Sequence, residues 1–246
     1  MIHSYEERAL EDLLKWQQRM NRRPSFTSYI TKGIQTKANN LIPDKVHEVV
    51  TATIKNMVKA VLVGSEFTTK APLVYASLQQ REELVKERLE YYKKGAALSG
   101  AGTGAGGILL GLADFPILIG LKFKFLFEVA SLYGFDVKDY KERLYILYVF
   151  QLAFSSQQRT QEVYREILNW EHYIKGLPED MESFDWRTFQ QEYRDYIDLA
   201  KLLQLVPGIG AVVGAVANYR LMDKLGETAT YAYRLRLFDR EGPHNS

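Results

Sequence analysis

Residues 95–120 read "GAALSGAGTGAGGILLGLADFPILIG" and hold eight of the chain's 17 glycines and a single charge, Asp114. A phosphate-binding loop, a membrane hairpin and a pair of close-packed helices would each use such a run. Gly102, Gly104 and Gly107 satisfy GxGxxG, but the dinucleotide fingerprint works as a turn from a strand into a helix. Here the preceding "KERLEYYKK" has helical spacing and no βαβ unit follows, so a nucleotide site is not expected. A Walker loop is absent, because the glycines lead into "GGILL" rather than into Lys and then Ser or Thr.

The membrane reading is limited by length. Between Lys94 and Asp114 lie 19 uncharged residues, roughly 28 Å of helix and close to the thickness of a hydrocarbon core. The return arm, Phe115 to Leu121, offers only seven before Lys122, roughly 10 Å. A symmetric two-pass hairpin is therefore disfavoured, and the first arm is rich in Gly, Ala and Ser rather than Leu or Ile, so insertion is weakly driven.

Close packing accounts for the run best. Gly100 with Gly104, Gly102 with Gly106, Gly107 with Gly111, and Gly210 with Gly214 are each four residues apart, the spacing that lets helix backbones approach closely. Gly208, Gly210 and Gly214 form a second cluster that is the expected partner of the first. Asp114 and Pro116, in "ADFP", read as a turn and helix cap between the two arms. The competing reading makes Asp114 a buried carboxylate with a raised pKa, serving as acid or base.

Outward from this hairpin nearly every segment is helical in its apolar spacing. A first helix opens at Ser4, with Glu7 completing a capping box, turns Ala9, Leu10, Leu13, Leu14 and Trp16 or Gln17 to one stripe, and stops before Pro24. Weaker helical spacing follows in "SFTSYITKGIQTKANN". The next helix starts near Pro43, turns Val46, Val49, Val50, Thr53, Met57 and Val61 to one side, and ends at Gly64. A charged helix is expected from about Ala71 to Lys94, running into the glycines. "PILIGLKFKFLFEVASLYG" is apolar nearly all round, which places it in an interior, with Gly134 as its stop. Helices over 138–155, 157–175, 186–205 and from the second glycine cluster onward complete a single domain, 1–246, with a polar tail from about 239. The fold class expected is an all-α, compact multi-helix bundle around a Gly-rich, close-packed apolar helical hairpin.

Composition excludes several functions. A formal net charge of +2 on 246 residues carries no footprint for nucleic acid. With no cysteine there is no thiolate metal site or cysteine nucleophile, and the charged N-terminus lacks an apolar signal core, so the chain reads as cytoplasmic. His3, His47, His172 and His244 make no metal-ligand spacing; "HEVVT" has Thr51 where HExxH needs its second His. Neither GxSxG nor SxxK occurs, and no cofactor is expected. Basic residues flank the apolar stretches: Lys93, Lys94, Lys122, Lys124, Arg220 and Lys224, with Arg234 and Arg236 among Tyr231, Tyr233 and Phe238. They are candidates for an anionic membrane surface or a protein partner, weighed against a solvated face paired with Asp and Glu.

Three stretches in order, "GLADFPIL", "YGFD" followed by "KERLYIL", and "VPGIGAVVGAVANYRLMDKLGETATYAYRLR", resemble the EcsC family, with Phe115 where members usually show Ile in "DIP". Weaker similarity extends from "IPDKV" to the last helix. The resemblance implies a bacterial helical protein named for the third member of an operon whose other products resemble the ATPase and membrane subunits of an ABC transporter. It also implies a link to secretion and protein processing, and supplies no catalytic residues. The expected function is binding without catalysis, at the inner membrane surface or beside a transporter. The alternatives are a carrier of lipid or another apolar ligand, and an enzyme using Asp114.

Overall fold

The structure, a computed structural model, describes residues 4–21, 44–63, 69–102, 107–155, 157–176 and 211–240. They form eight α-helices: α1 (Tyr5–Asn21), α2 (Asp44–Val63), α3 (Leu78–Gly102), α4 (Gly107–Leu132), α5 (Tyr140–Phe154), α6 (Gln157–Leu168), α7 (Trp170–Tyr173) and α8 (Ala211–Arg240). A 3₁₀ turn, Ile174–Gly176, follows α7. The expected helices over 25–40 and 186–205, and Gly104, Gly106, Gly208 and Gly210, lie outside the described residues.

Helix α1 begins as its sequence requires. The Ser4 amide donates to Glu7 Oε2 at 2.8 Å and the Glu7 amide donates to Ser4 Oγ at 3.1 Å, so two orphan amides of the first turn are satisfied reciprocally. Ala9, Leu13 and Trp16 are buried while Leu10 and Leu14 are exposed, a narrower stripe than expected. Trp16 stacks on Tyr231 of α8, centroids 5.2 Å apart, and meets Tyr164 of α6 edge-on.

Helix α3 starts at Leu78, seven residues later than the periodicity suggests. Ser77 and Gln80 form a second capping box there, with the Gln80 amide donating to Ser77 Oγ at 3.3 Å and Gln80 Oε1 accepting from the Ser77 amide at 2.9 Å. Residues 69–77 have no helix hydrogen bonds of their own because Arg81 takes up their carbonyls. Its guanidinium donates to the carbonyls of Leu73 (2.6 Å), Val74 (3.0 Å) and Ala76 (3.1 Å), and to that of Leu132 at the end of α4 (2.8 Å).

Helix α3 ends at Gly102 and α4 begins at Gly107 and runs through Asp114 and Pro116, so the expectation of a turn or cap at those two residues is corrected. Pro116 removes one intrahelical hydrogen bond without ending the helix, and the side chain of Asp114 is outside the described set. The approach to the glycines through α3 is helical, as the spacing of "KERLEYYKK" predicts. Helix α4 ends where expected: Gly134 has φ +89°, the Phe135 amide reaches the Ala130 carbonyl and the Gly134 amide reaches Ser131, the double bond of a Schellman motif.

Helix α4 is central, packing against α2, α3, α5 and α8. "LKFKFLFE" is helical, and Phe123, Phe125, Leu126 and Phe127 are all buried. Helix α5 is buried from Leu144 through Phe154, and Phe123 stacks on Phe150 at 4.5 Å. The helix expected over 157–175 breaks at Asn169, whose amide side chain donates to the Arg165 carbonyl at 3.0 Å. The most extensive helix contact joins α3 and α8. Gly226 is its close-approach residue: a Cβ there would sit 2.6 Å from Leu89 Cδ2. The backbones of Gly100, Gly102, Gly107, Gly111 and Gly214 are helical, while their packing environment is not described.

Candidate functional site

The eight basic residues singled out in the sequence separate into two groups. Lys94, Lys124, Arg220 and Lys224 are exposed, whereas Lys93, Lys122, Arg234 and Arg236 are buried. For the buried four, a surface role is corrected, and three of them have internal carboxylates as the reason.

Lys93 Nζ lies 2.6 Å from Asp223 of α8 and 2.8 Å from Glu90, and sits 3.9 Å from the centre of the Tyr219 ring. Burial opposes its charge, but the hydrogen bonds to Asp223 and Glu90 outweigh that and raise its pKa. Arg234 donates Nε to Glu82 Oε1 at 2.6 Å and a terminal nitrogen to Oε2 at 2.5 Å, a two-pronged pair joining α8 to α3. Tyr133 donates to Glu82 Oε1 at 3.0 Å and Tyr5 to Oε2 at 2.5 Å, so helices α1, α3 and α8 and the end of α4 meet at one carboxylate.

In a second cluster Glu142 of α5 accepts from Tyr233 at 2.7 Å and from Arg236 at 2.5 Å. Arg236 lies over the rings of Phe135 and Tyr145, at 4.0 and 4.4 Å. The Tyr133–Tyr233 stack, 5.3 Å between centroids, links the two clusters. Burial first, and the neighbouring carboxylates second, push both tyrosine pKa values well up, so these phenols remain neutral donors.

Lys122 has no such explanation. It is 0% exposed, and its ammonium nitrogen has no hydrogen-bond partner among the described residues. Burial alone lowers its pKa to about 7. Asn218 of α8 is also fully buried, with both amide atoms unpartnered, and Gln151 Oε1 of α5 is unpartnered as well.

The exposed basic residues occupy two faces. Tyr92 donates to Glu128 at 2.8 Å and meets Phe125 edge-on, while Arg88 pairs with Glu128 at 3.4 Å, so α3 and α4 run antiparallel with Tyr92 level with Phe125. On the outer side of this hairpin Tyr91 is 65% exposed and Ile117 58% exposed, and Lys94 and Lys124 are exposed beside them. Ile117 and Lys124 are two helical turns apart and share a face. Arg220 and Lys224 border an open groove of about 690 Å³ between α1, α3 and α8, whose walls also carry Asp12, Glu82, Asp223 and Glu227.

Glu82, Glu142, Tyr5, Tyr133 and Tyr233 were not legible as a cluster, because their partners lie up to 152 residues away. One signal was present: Arg234 and Arg236 are two positions apart on a helix, so they point in different directions and cannot both face one flat surface. Among the described residues no group of His, Asp and Glu could hold a metal ion, and no helix is long and apolar enough to cross a membrane.

The family model described as the EcsC protein family matches residues 7–238. The chain is 48% identical over 229 residues to Protein EcsC of Bacillus subtilis (strain 168), covering 93% of this chain and 94% of that protein. It is 28% identical over 205 residues to Uncharacterized protein YdbA of the same organism, covering 82% and 72%. No solved structure matches. With one family model spanning nearly all of the described helices and a relative similar over almost its full length, the chain belongs to the EcsC protein family.

Proposed function

We propose that this chain acts by binding rather than catalysis, docking on an anionic membrane surface through the outer side of the α3–α4 hairpin. The observation that carries this reading is the distribution of charge around the hairpin's Gly-rich half. From Tyr91 to Phe127 the only acid is Asp114, and among the described residues of this stretch the exposed charges are Lys94 and Lys124 and the exposed large apolar side chains are Tyr91 and Ile117. Apolar side chains rimmed by lysines suit a lipid headgroup layer, where the rings and alkyl groups enter the interface and the ammonium groups meet phosphates. At the border of this face Glu90 is paired with Lys93 and Glu128 with Tyr92 and Arg88, and the exposed Glu87 and Glu83 follow one and two turns back along α3.

The contact is superficial, consistent with the absence of a membrane-crossing helix among the described residues. An ABC transporter's membrane subunit beside the same surface is the protein partner that the family resemblance brings to mind, and it remains the alternative. Asp114, the residue of the enzymatic alternative, lies within α4.

The experiment is co-sedimentation with vesicles of phosphatidylglycerol and phosphatidylcholine, compared with phosphatidylcholine alone. Wild type binds the anionic vesicles and is released by high salt. The Lys94→Gln/Lys124→Gln variant binds roughly ten- to thirtyfold more weakly, as expected for two lysines worth about 1 kcal/mol each near an anionic leaflet. Equal binding by the variant removes this face as the contact, and no binding by wild type transfers the reading to a protein partner.

A further inference from the structure

Lys122 is the charged residue that neither the docking face nor the ion-pair clusters use. Its position follows from the Tyr133–Tyr233 stack. Lys122 is eleven residues before Tyr133 on α4, and Met222 eleven residues before Tyr233 on α8, so each lies three turns back on the same face of its helix. Pairings along the molecule show the two helices run in the same direction: α3 is antiparallel to α4 through Tyr92–Phe125 and Arg81–Leu132, and antiparallel to α8 through Glu82–Arg234 and Lys93–Asp223. Lys122 therefore stands level with Met222, on the seam between α4 and α8.

Helical side chains lean toward their own N-terminus. That lean carries the Lys122 ammonium toward the next layer of the seam, where Leu118 stands level with Asn218. The unpartnered cation and the unpartnered amide thus fall at neighbouring levels of one buried seam. Above them the seam is bulky, with Leu126, Val129 and the tyrosine stack, all buried.

A desolvated ammonium next to an unsatisfied amide, with every other close neighbour on its own helix apolar, matches one kind of guest. We propose that the α4–α8 seam is an internal receptor for a single-chain amphiphile, whose anionic oxygens are held by Lys122 and Asn218 and whose alkyl chain lies against the buried apolar side chains beside them, Leu118 and Met222. An inorganic anion fits poorly, because it would surrender its hydration for two donors, whereas each methylene of an amphiphile that leaves water offsets that loss. This inference does not depend on the membrane-docking reading, since Lys94 and Lys124 have no part in it.

The test uses the intact chain and a dansyl-labelled undecanoate probe, displaced in turn by oleate, hexadecyl phosphate, hexadecanol and inorganic phosphate. The expected result is saturable probe binding, displaced by oleate and by hexadecyl phosphate, with the stronger competitor naming the head group as carboxylate or phosphate. Hexadecanol competes at least tenfold more weakly, and inorganic phosphate does not compete. Lys122→Met and Asn218→Leu each weaken the two anionic amphiphiles at least tenfold, while a change at the exposed Lys138, Lys138→Met, leaves them unchanged. Circular dichroism confirms that the variants retain their helices, and Lys122→Met, which removes an unpaired charge, melts no lower than wild type. Unchanged affinity in a folded Lys122→Met, equal competition by hexadecanol, competition by inorganic phosphate, or no probe binding by wild type overturns the proposal.

Discussion

Arg234 and Glu82, 152 residues apart in sequence, meet in a buried two-pronged ion pair that fastens the C-terminal half of α8 to the start of α3. Because Tyr133 and Tyr5 donate to the same carboxylate, removing one partner leaves a buried charge and loosens four segments together. Arg234→Met and Glu82→Gln are each expected to destabilise the chain by about 3–5 kcal/mol. The double variant Glu82→Gln/Arg234→Met should lose less than the sum of the two, because it leaves no orphaned charge. Urea unfolding of the four proteins checks this, and strict additivity would show that the pair is not a unit.

Lys122 has the opposite sign. Its folded pKa of about 7 lies below the usual lysine value, so between about pH 7 and 10 the unfolded chain binds more protons at this position than the folded one. Stability should therefore rise with pH across that window on account of Lys122, and Lys122→Met should remove this dependence. At pH 6 the variant should exceed wild type in stability by an amount on the order of 4 kcal/mol, shrinking toward pH 10. Above pH 10 the raised pKa values of Tyr133 and Tyr233 act in reverse, because the unfolded chain then loses phenolic protons that the folded chain keeps. Parallel denaturant titrations from pH 6 to 9.5 read the difference; a gap independent of pH would mean that Lys122 is charged and compensated in the fold.

Gly226 separates close packing from mere helix propensity. In an unobstructed helix, Gly→Ala is stabilising by roughly 0.5–1 kcal/mol. Here the added methyl would meet Leu89 Cδ2 at 2.6 Å and Cδ1 at 2.9 Å, so Gly226→Ala should instead cost about 1–3 kcal/mol. Combining it with Leu89→Ala should recover part of that loss, since the truncated side chain vacates the space. Thermal melts of the single and double variants decide the sign, and a Gly226→Ala protein more stable than wild type would show that α3 and α8 are not in tight contact there.

Much of this fold was legible because it rests on local chemistry. The Ser4–Glu7 capping box, the stop at Gly134 and the all-round apolarity of α4 each follow from residues within a few positions of one another. What escaped the sequence was set by distant partners. Arg81, not a helix signal, keeps residues 69–77 out of α3, and Pro116, a residue that often ends a helix, sits inside α4. The basic residues were legible in type but not in direction: nothing local distinguishes Lys122, fully buried, from Lys124, exposed two positions on. In "LKFKF" only the neighbours α2, α3, α5 and α8 that enclose α4 decide which lysine faces water.

The docking surface itself can be probed directly because the chain contains no cysteine, so a single introduced thiol carries a fluorophore at one chosen position. An environment-sensitive NBD label is placed at Ile117→Cys or Tyr91→Cys on the hairpin's outer face, and at Leu168→Cys, also exposed, on α6. On addition of phosphatidylglycerol vesicles the account predicts a blue shift and brightening at positions 91 and 117, reversed by high salt, with no change at 168. Spectra at 91 and 117 that stay unchanged while the protein co-sediments, or a shift confined to 168, would contradict it.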